Sequence, residues 1–138
     1  EVVADFAVTH PEAKLGYPEV DLGICPAVVA PWLIRRIGAG PARAMLLAGG
    51  TISGAEGHAR GLATHLVEAA ELDETVAQLA AGLARGGRRA LAVTKRWLNE
   101  LDGSNDDAVL DKAAELSAEI IAGEEAQSRL AAVFAGHG

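Results

Sequence analysis

The chain has 138 residues, the length of one ordinary domain. Half of the residues are hydrophobic, which excludes a disordered chain, and the net charge of −7 at pH 7 argues against nonspecific binding to nucleic acid or to an anionic membrane. Only 4% of the residues are aromatic, while 29 are Ala and 16 are Gly, so the composition favours closely packed helices over a β-sandwich and predicts a core of small side chains.

The first half of the chain indicates strands mixed with short helices. Residues 2–8 are an apolar run that predicts a buried strand, and residues 14–17 predict a second short strand. Residues 21–30 are loop-like, with Gly and Pro, and residues 63–68 predict a last strand.

Prolines and glycines predict the helix ends in this half. Pro31 and Pro41 suit the first turns of two successive helices, and Gly49, next to a second Gly, ends the second of them. Ser53 and Glu56 have the spacing of a capping box, in which each side chain bonds to the other residue's free backbone N–H, for a short third helix.

Beyond residue 68 the apolar residues recur only at helical spacing, which predicts four helices. Asp73 is a candidate N-cap for the first of them, and Ser104 with Asp107 for the third. We therefore predict an α/β portion over residues 1–68 and a helical region over residues 69–138. That region packs on the first portion or against other subunits.

Glu19 is the residue that most suggests chemistry. It lies between Pro18 and Val20 and is followed by Leu22 and Gly23, so its carboxylate has apolar neighbours on a constrained backbone. Loss of water around a carboxylate favours its neutral form, which suits a group that both gives and takes a proton. The alternative is an ordinary carboxylate of a surface loop.

Metal and nucleophile chemistry are not indicated. The chain has one cysteine, and its four histidines lack the spacing of a metal site: His10, His58, His65 and His137. Ser53 is better explained as a helix cap than as a nucleophile, because no His and acid are suitably spaced for it. Cys25 is predicted to be a small buried hydrophobe.

The same cysteine count bears on the compartment. Cys25 cannot form an internal disulfide, which fits a reducing cytosol or organelle matrix. No apolar run approaches the roughly 20 residues of a membrane helix, and the N-terminus has no signal-peptide pattern. We expect a soluble, cytoplasmic protein with neither a membrane nor a nucleic-acid partner.

Two segments carry a resemblance to a known family. Residues 4–8, ADFAV, and 13–26, AKLGYPEVDLGICP, resemble the middle signature of the crotonase (enoyl-CoA hydratase/isomerase) superfamily. The resemblance covers nearly the whole chain, because it continues in order through residues 35–38, 42–47, 52–56, 61–62 and 94–96.

The resemblance implies a fold and an assembly. Such proteins have a core of repeated strand-strand-helix (ββα) turns, a helical C-terminal region, and subunits joined as trimers or pairs of trimers. This chain would be α/β, with the C-terminal part of a crotonase-type spiral core followed by an α-helical oligomerisation region. The resemblance implies a homo-oligomer. Because the chain starts at Glu1 in an apolar stretch, in mid-fold, we also expect it to need a complementary N-terminal half.

The resemblance also implies a reaction. Glu19 matches one of two Glu that add water across the double bond of a 2-enoyl-CoA, as proton donor or acceptor at the α-carbon, and Pro18, Leu22 and Ala27 would contact this acyl-CoA substrate. The other Glu and both N–H donors of the oxyanion hole would precede Glu1, so the chain alone is not expected to catalyse. No cofactor is implied, since coenzyme A enters as the substrate thioester.

Within the superfamily, residues 26–31 are similar to the methylglutaconyl-CoA hydratase branch. The alternative is that residues 27–30 simply pack against Trp32. Asp21 stands where that branch often has a basic residue, which argues against a carboxylated substrate.

The C-terminal residues 135–137 lack the Lys and Arg that end many family members. A run of five cations is expected to be a solvated helix face or an inter-subunit ion pair, or to meet CoA phosphates: Arg85, Arg88, Arg89, Lys95 and Arg96.

Three alternatives to a hydratase stay open. The same superfamily contains enoyl-CoA isomerases and decarboxylases, for which a single base is enough. The chain could also be a non-catalytic remnant whose helices mediate oligomerisation. A third possibility is a protein that binds acyl-CoA without performing chemistry.

Overall fold

The computed structural model describes residues 1–135 as short strands and helices. In chain order these are β1 (Val8–Thr9), β2 (Lys14–Gly16), α1 (Ala30–Ile37), α2 (Ala39–Ala48), β3 (Thr51–Ser53), α3 (Gly54–Ala59) and β4 (His65–Leu66), followed by α4 (Leu72–Ala84), α5 (Arg88–Leu101), α6 (Asp107–Ile121) and α7 (Glu124–Ala135). Short 3-10 helices occupy Val20–Leu22 and Ala69–Glu71. The predicted change to an all-helical second half is confirmed, and none of the helices described here has the length and apolarity needed to cross a bilayer.

The chain divides into two compact units, of which the first comprises Glu1–Lys14 and Ser53–Asp106. In this unit β1 pairs in parallel with β4, with Val8 opposite His65. Helices α3 and α4 pack against β1, and Leu62 is fully buried. The division into residues 1–68 and 69–138 expected from the sequence stays a prediction.

The second unit comprises residues 15–52 and 107–135. It holds most of the pair formed by β2 and β3, and α1 packs on α2 there. The 3-10 helix Val20–Leu22 contacts both α2 and α7, and α6 contacts α7. Small Ala side chains contribute to its core, as predicted, but larger side chains are buried with them: Ala27, Ala42, Ala113 and Ala126, together with Tyr17, Leu33, Met45 and Leu46.

Local sequence signals account for several helix ends. Pro31 lies in the first turn of α1, and Gly38, with a φ of +84°, ends this helix. The hydroxyl of Ser53 accepts a 3.1 Å hydrogen bond from the N–H of Glu56, which confirms the predicted cap of α3. The predicted box also has a bond from the Ser53 N–H to the Glu56 side chain. The Glu56 carboxylate instead accepts a 2.6 Å hydrogen bond from Arg60.

The predicted strand over residues 2–8 is mostly wrong. Strand β1 contains only Val8 and Thr9, while Val3 and Phe6 are 63% and 47% exposed. The N–H of Ala7 donates to the hydroxyl of Thr64, immediately before β4. Strand pairing therefore begins only where the chain runs alongside β4. Within the described part of the chain, no strand lies opposite residues 2–7.

Two predicted caps in the helical region are also wrong. Glu71 is the N-cap of α4, and Asp73 lies inside the first turn. A short 3-10 helix precedes α4 and moves its start upstream of the predicted cap. The N–H and hydroxyl of Ser104 both bond to the Asp102 carboxylate, at 2.8 and 2.5 Å, and α6 begins only at Asp107.

Candidate functional site

Glu19 lies at the start of the 3-10 helix Val20–Leu22, in the second unit. The N–H groups of Leu22 and Ile24 donate to the carbonyl oxygen of Glu19 at 3.0 and 2.8 Å. Gly23 ends this turn with a φ of +69°, a left-handed conformation in which a Cβ would be strained. The backbone is therefore folded tightly around Glu19.

One oxygen of the Glu19 side chain, Oε2, is buried and has no hydrogen-bond partner among residues 1–135. A buried polar atom without a partner costs about 1–3 kcal/mol, so such atoms in folded proteins call for an explanation such as a catalytic role. The residue as a whole is half-buried, so this carboxylate is not an ordinary surface group. Its role as an acid/base stays a prediction.

Gly50 holds the chain on both sides of Glu19. Its carbonyl oxygen accepts a 3.1 Å hydrogen bond from the N–H of Tyr17. Its own N–H donates a 2.8 Å hydrogen bond to Oδ2 of Asp21. The Asp21 carboxylate, interpreted from the sequence as a charge that bears on substrate choice, is thus engaged with the backbone of its own chain.

Helix α7 also contacts the turn that carries Glu19. Nη1 of Arg129 donates to the carbonyl oxygen of Asp21 at 3.2 Å, and its Nε donates to Glu125 at 3.1 Å. Ala126 is only 1% exposed. A Cβ placed on Gly23 would lie 3.4 Å from the Cα of Ala126. Sequence reasoning missed this contact, because 108 residues separate Asp21 from Arg129 and no local pattern joins them.

A groove of about 610 Å³ lies between α6 and the segment from Cys25 to α1. Its lining is apolar except for Lys112 and the thiol of Cys25, and Lys112 forms a 3.1 Å ion pair with Glu115. Ala27 and Ala113 form part of its wall. A concave apolar surface of this size suits the hydrocarbon part of a small molecule.

The predicted substrate contacts differ in their surroundings. Ala27 is buried and lines the groove, Leu22 is half-buried, and Pro18 is exposed. Val28 is 51% exposed, and the alternative that residues 27–30 pack against Trp32 stays a prediction. The ring of Trp32 lies 5.0 Å from the guanidinium carbon of Arg35. The contacts of Pro18, Leu22 and Ala27 with substrate stay predictions.

The histidines and the cysteine occupy separate places. Among residues 1–135 no three His, Cys, Asp or Glu side chains are grouped closely enough to hold a metal ion. Nδ1 of His10 lies 3.3 Å from the carboxylate of Glu12, and this hydrogen bond lowers the pKa of Glu12. Cys25 is half-buried in the groove wall, so the prediction of a buried residue is only partly correct. His137, like Gly136, lies outside the described residues.

Comparison with solved structures identifies the type of fold. The enoyl-CoA hydratase/isomerase of Pseudoalteromonas atlantica matches with a TM-score of 0.88 at 21% identity, over 98% of this chain and 55% of that chain. The crotonase-type α/β fold predicted from the sequence is thereby confirmed. A family model described as enoyl-CoA hydratase/isomerase matches residues 1–134. The chain belongs to this family.

Two curated relatives are hydratases. The chain is 32% identical over 116 residues to the crotonyl-CoA hydratase of Syntrophomonas wolfei, which covers 83% of this chain and 43% of the relative. It is 38% identical over 86 residues to the cyclohexa-1,5-dienecarbonyl-CoA hydratase of Thauera aromatica, over 58% of this chain and 33% of the relative. The chain thus spans less than half the length of these relatives. Their acyl groups differ, so the methylglutaconyl-CoA branch stays a prediction.

Proposed function

We propose that this chain is the C-terminal portion of an acyl-CoA hydratase, a lyase that adds water to a 2-enoyl-CoA. In this reaction water gives up one proton to the second Glu as its oxygen bonds to the β-carbon, and the electrons of the double bond move toward the thioester carbonyl. The α-carbon of the enolate-like intermediate then takes a proton. Glu19 is the group that gives this proton in hydration and removes it in the reverse direction.

The single observation that carries this assignment is the buried, unpartnered Oε2 of Glu19 on a tightly held turn. A carboxyl oxygen that is not already engaged by the protein is available to exchange a proton with a reacting group. The hydratase names of the two curated relatives support water addition as the kind of reaction.

The groove supports an apolar acyl group. Its wall contains Ala27, Ile34 and Leu116, and its one cation, Lys112, is engaged with Glu115. A substrate carboxylate there would compete with Glu115 for the ammonium of Lys112, and a buried carboxylate without a partner is costly. We therefore expect a hydrocarbon acyl chain on the coenzyme A thioester, and no separate cofactor.

The reaction needs groups that the family places in the preceding half of the fold. These are the second Glu and the two N–H donors of the oxyanion hole, and losing one such donor typically costs about 10²–10³ in rate. We propose that a complementary N-terminal half supplies them, and we call the two halves together the complete enzyme. We further propose that the complete enzyme is a cytoplasmic homo-oligomer, a trimer or a hexamer.

The test compares Glu19→Gln with the parent complete enzyme, using crotonyl-CoA and the loss of enoyl thioester absorbance. Because the amide cannot exchange the proton, we expect kcat to fall about 10²–10⁴-fold with little change in KM. Glu100→Gln, an exposed carboxylate of α5, is the matched control. Unchanged turnover of Glu19→Gln would contradict the assignment.

A labelling experiment separates the hydratase from an isomerase and from a non-catalytic remnant. In H2¹⁸O the hydratase places one ¹⁸O atom at the β-carbon of the product thioester. An isomerase moves the double bond without incorporating ¹⁸O, and a remnant produces no product. Either of these outcomes would contradict the proposed reaction.

A further inference from the structure

Asp21 is an exposed residue whose carboxylate is nevertheless held at a defined place. Its Oδ2 accepts the 2.8 Å hydrogen bond from the N–H of Gly50. A Cβ on Gly49 would lie 2.7 Å from Oδ1, so the carboxylate occupies the space that this Gly leaves open. A backbone N–H bonded to a carboxylate is a charge-assisted interaction and stronger than a neutral one.

This bond acts close to Glu19. Asp21 lies two residues after it, and Tyr17, two residues before it, donates its N–H to the carbonyl oxygen of the same Gly50. Arg129 fixes the carbonyl group of Asp21 from α7. The five-residue segment with Glu19 at its centre is therefore attached at both ends to one turn.

Proton transfer depends strongly on such placement. A general acid or base must come within about 2.6–3.2 Å of the atom it serves, and a displacement of 1 Å can cost on the order of 10²-fold in rate. The short 3-10 helix Val20–Leu22 is only one turn long, and helices this short derive little stability from their own hydrogen bonds. The position of Glu19 must then be set by contacts from outside the turn.

We propose that Asp21 is a positioning residue for Glu19, which it holds at the proton-transfer distance through its hydrogen bond to Gly50. The proposal rests on the proposed function of Glu19 as the acid/base. Asp21 does not itself touch substrate in this scheme. Its loss therefore lowers kcat and leaves KM for the thioester nearly unchanged.

The experiment is a double-mutant cycle in the complete enzyme, with crotonyl-CoA as substrate. Asp21→Ala removes the acceptor and is expected to lower kcat about 10- to 100-fold. Asp21→Asn keeps an oxygen that accepts from the Gly50 N–H, so it should stay within about 3-fold of the parent. In the Glu19→Gln background, Asp21→Ala should lower kcat by less than about 2-fold, because the group that Asp21 positions is already inactive.

Controls separate positioning from a general structural effect. Asp73→Ala removes an exposed Asp of α4 and should leave kcat unchanged. Where Asp21→Ala fails to fold, Asp21→Glu replaces it, since the longer side chain keeps the charge but displaces the turn. Circular dichroism and thermal unfolding check that each variant is folded.

The outcomes are distinct. The proposal is overturned by an unchanged kcat in Asp21→Ala, or in Asp21→Glu where that variant replaces it. It is also overturned by an equal loss with and without Glu19, or by equal losses in the Ala and Asn variants. Full turnover of Glu19→Gln would instead refute the proposed function, and this proposal with it. Impaired Glu19→Gln with fully active Asp21→Ala refutes the positioning role alone.

Discussion

Nζ of Lys95 lies 2.7 Å from each carboxylate oxygen of Asp5, 90 residues earlier in the chain. This ion pair joins α5 to the segment before β1 within the first unit. The sequence predicted for this run of cations a solvated face, an inter-subunit ion pair or a contact with CoA phosphates. Lys95 has an intrachain partner, and it is roughly half exposed, in line with the solvated face.

Lys95→Met should lower the free energy of unfolding by about 0.5–1 kcal/mol, because both side chains are roughly half exposed and water screens their attraction. Urea denaturation of the complete enzyme measures the difference, which should shrink at high salt. Arg96→Met, the next residue of α5, is the control and should change stability by less than about 0.5 kcal/mol. Equal losses in the two variants would contradict the prediction.

Gly49→Ala and Gly38→Ala form a matched pair that tests the contact with Asp21. Both glycines have a positive φ, +69° and +84°, so each substitution carries a backbone cost of about 1–2 kcal/mol. Only at Gly49 would the new Cβ meet the Asp21 carboxylate, 2.7 Å from Oδ1, whereas nothing lies within 4 Å at Gly38. We expect similar losses of stability but a fall in kcat of about 10-fold for Gly49→Ala alone. Equal kcat values in steady-state assays would count against this prediction.

Arg129→Met tests whether α7 helps to fix the Glu19 turn. The substitution keeps an unbranched apolar stem but removes the donors to Asp21 and Glu125. We expect kcat to fall by about 3- to 10-fold, less than in Asp21→Ala, because the hydrogen bond to Gly50 is retained. Arg43→Met on the exposed side of α2 is the control. The prediction fails if both variants retain the parent kcat with crotonyl-CoA.

Ala113→Leu tests the groove as the site of the acyl chain. Ala113 is 5% exposed and lines the groove, so a larger side chain fills space that a long acyl chain would need. We expect kcat/KM for 2-decenoyl-CoA to fall about 10-fold more than that for crotonyl-CoA. Ala114→Leu, the adjacent exposed residue of α6, should leave this ratio unchanged. A parallel loss for both substrates in Ala113→Leu would place the acyl chain elsewhere.

Gly54→Ala should strongly destabilise the first unit. A Cβ there would overlap the carbonyl oxygen of His10 and lie 2.8 Å from Oγ1 of Thr9, and overpacking of this kind costs about 1–3 kcal/mol or more. Gly40→Ala in α2, which meets nothing within 4 Å, should be neutral or stabilise by up to about 1 kcal/mol. Thermal unfolding of the complete enzyme compares the two, and equal midpoints would refute the clash.

Features with a local cause could be predicted from the sequence. Pro31 and Gly38 act on their own helix, and Ser53 caps a helix that begins at the next residue. Their effects depend on φ angles and on N–H groups within one turn. The predicted strand over residues 2–8 is mostly wrong because a strand depends on a distant partner strand. The local sequence pattern does not reveal that partner.

The candidate site combines a feature that local sequence predicts with contacts that it does not predict. Glu19 was identified from its immediate neighbours and from a family resemblance. The groups that hold its turn are Gly50, 29 residues beyond Asp21, and Arg129, 108 residues beyond it. Nothing in the residues around Asp21 indicates which distant N–H its carboxylate will accept, because that choice follows from tertiary packing.

The parallel pairing of Val8 with His65 constrains how the first unit is made on the ribosome. The two residues are 57 positions apart, so at typical elongation rates about 3–11 s pass between their synthesis. During this interval the residues of β4 do not yet exist, so the pair Val8–His65 cannot form. Chaperone occupancy of the nascent chain should therefore stay high after β1 emerges and fall once β4 has left the exit tunnel.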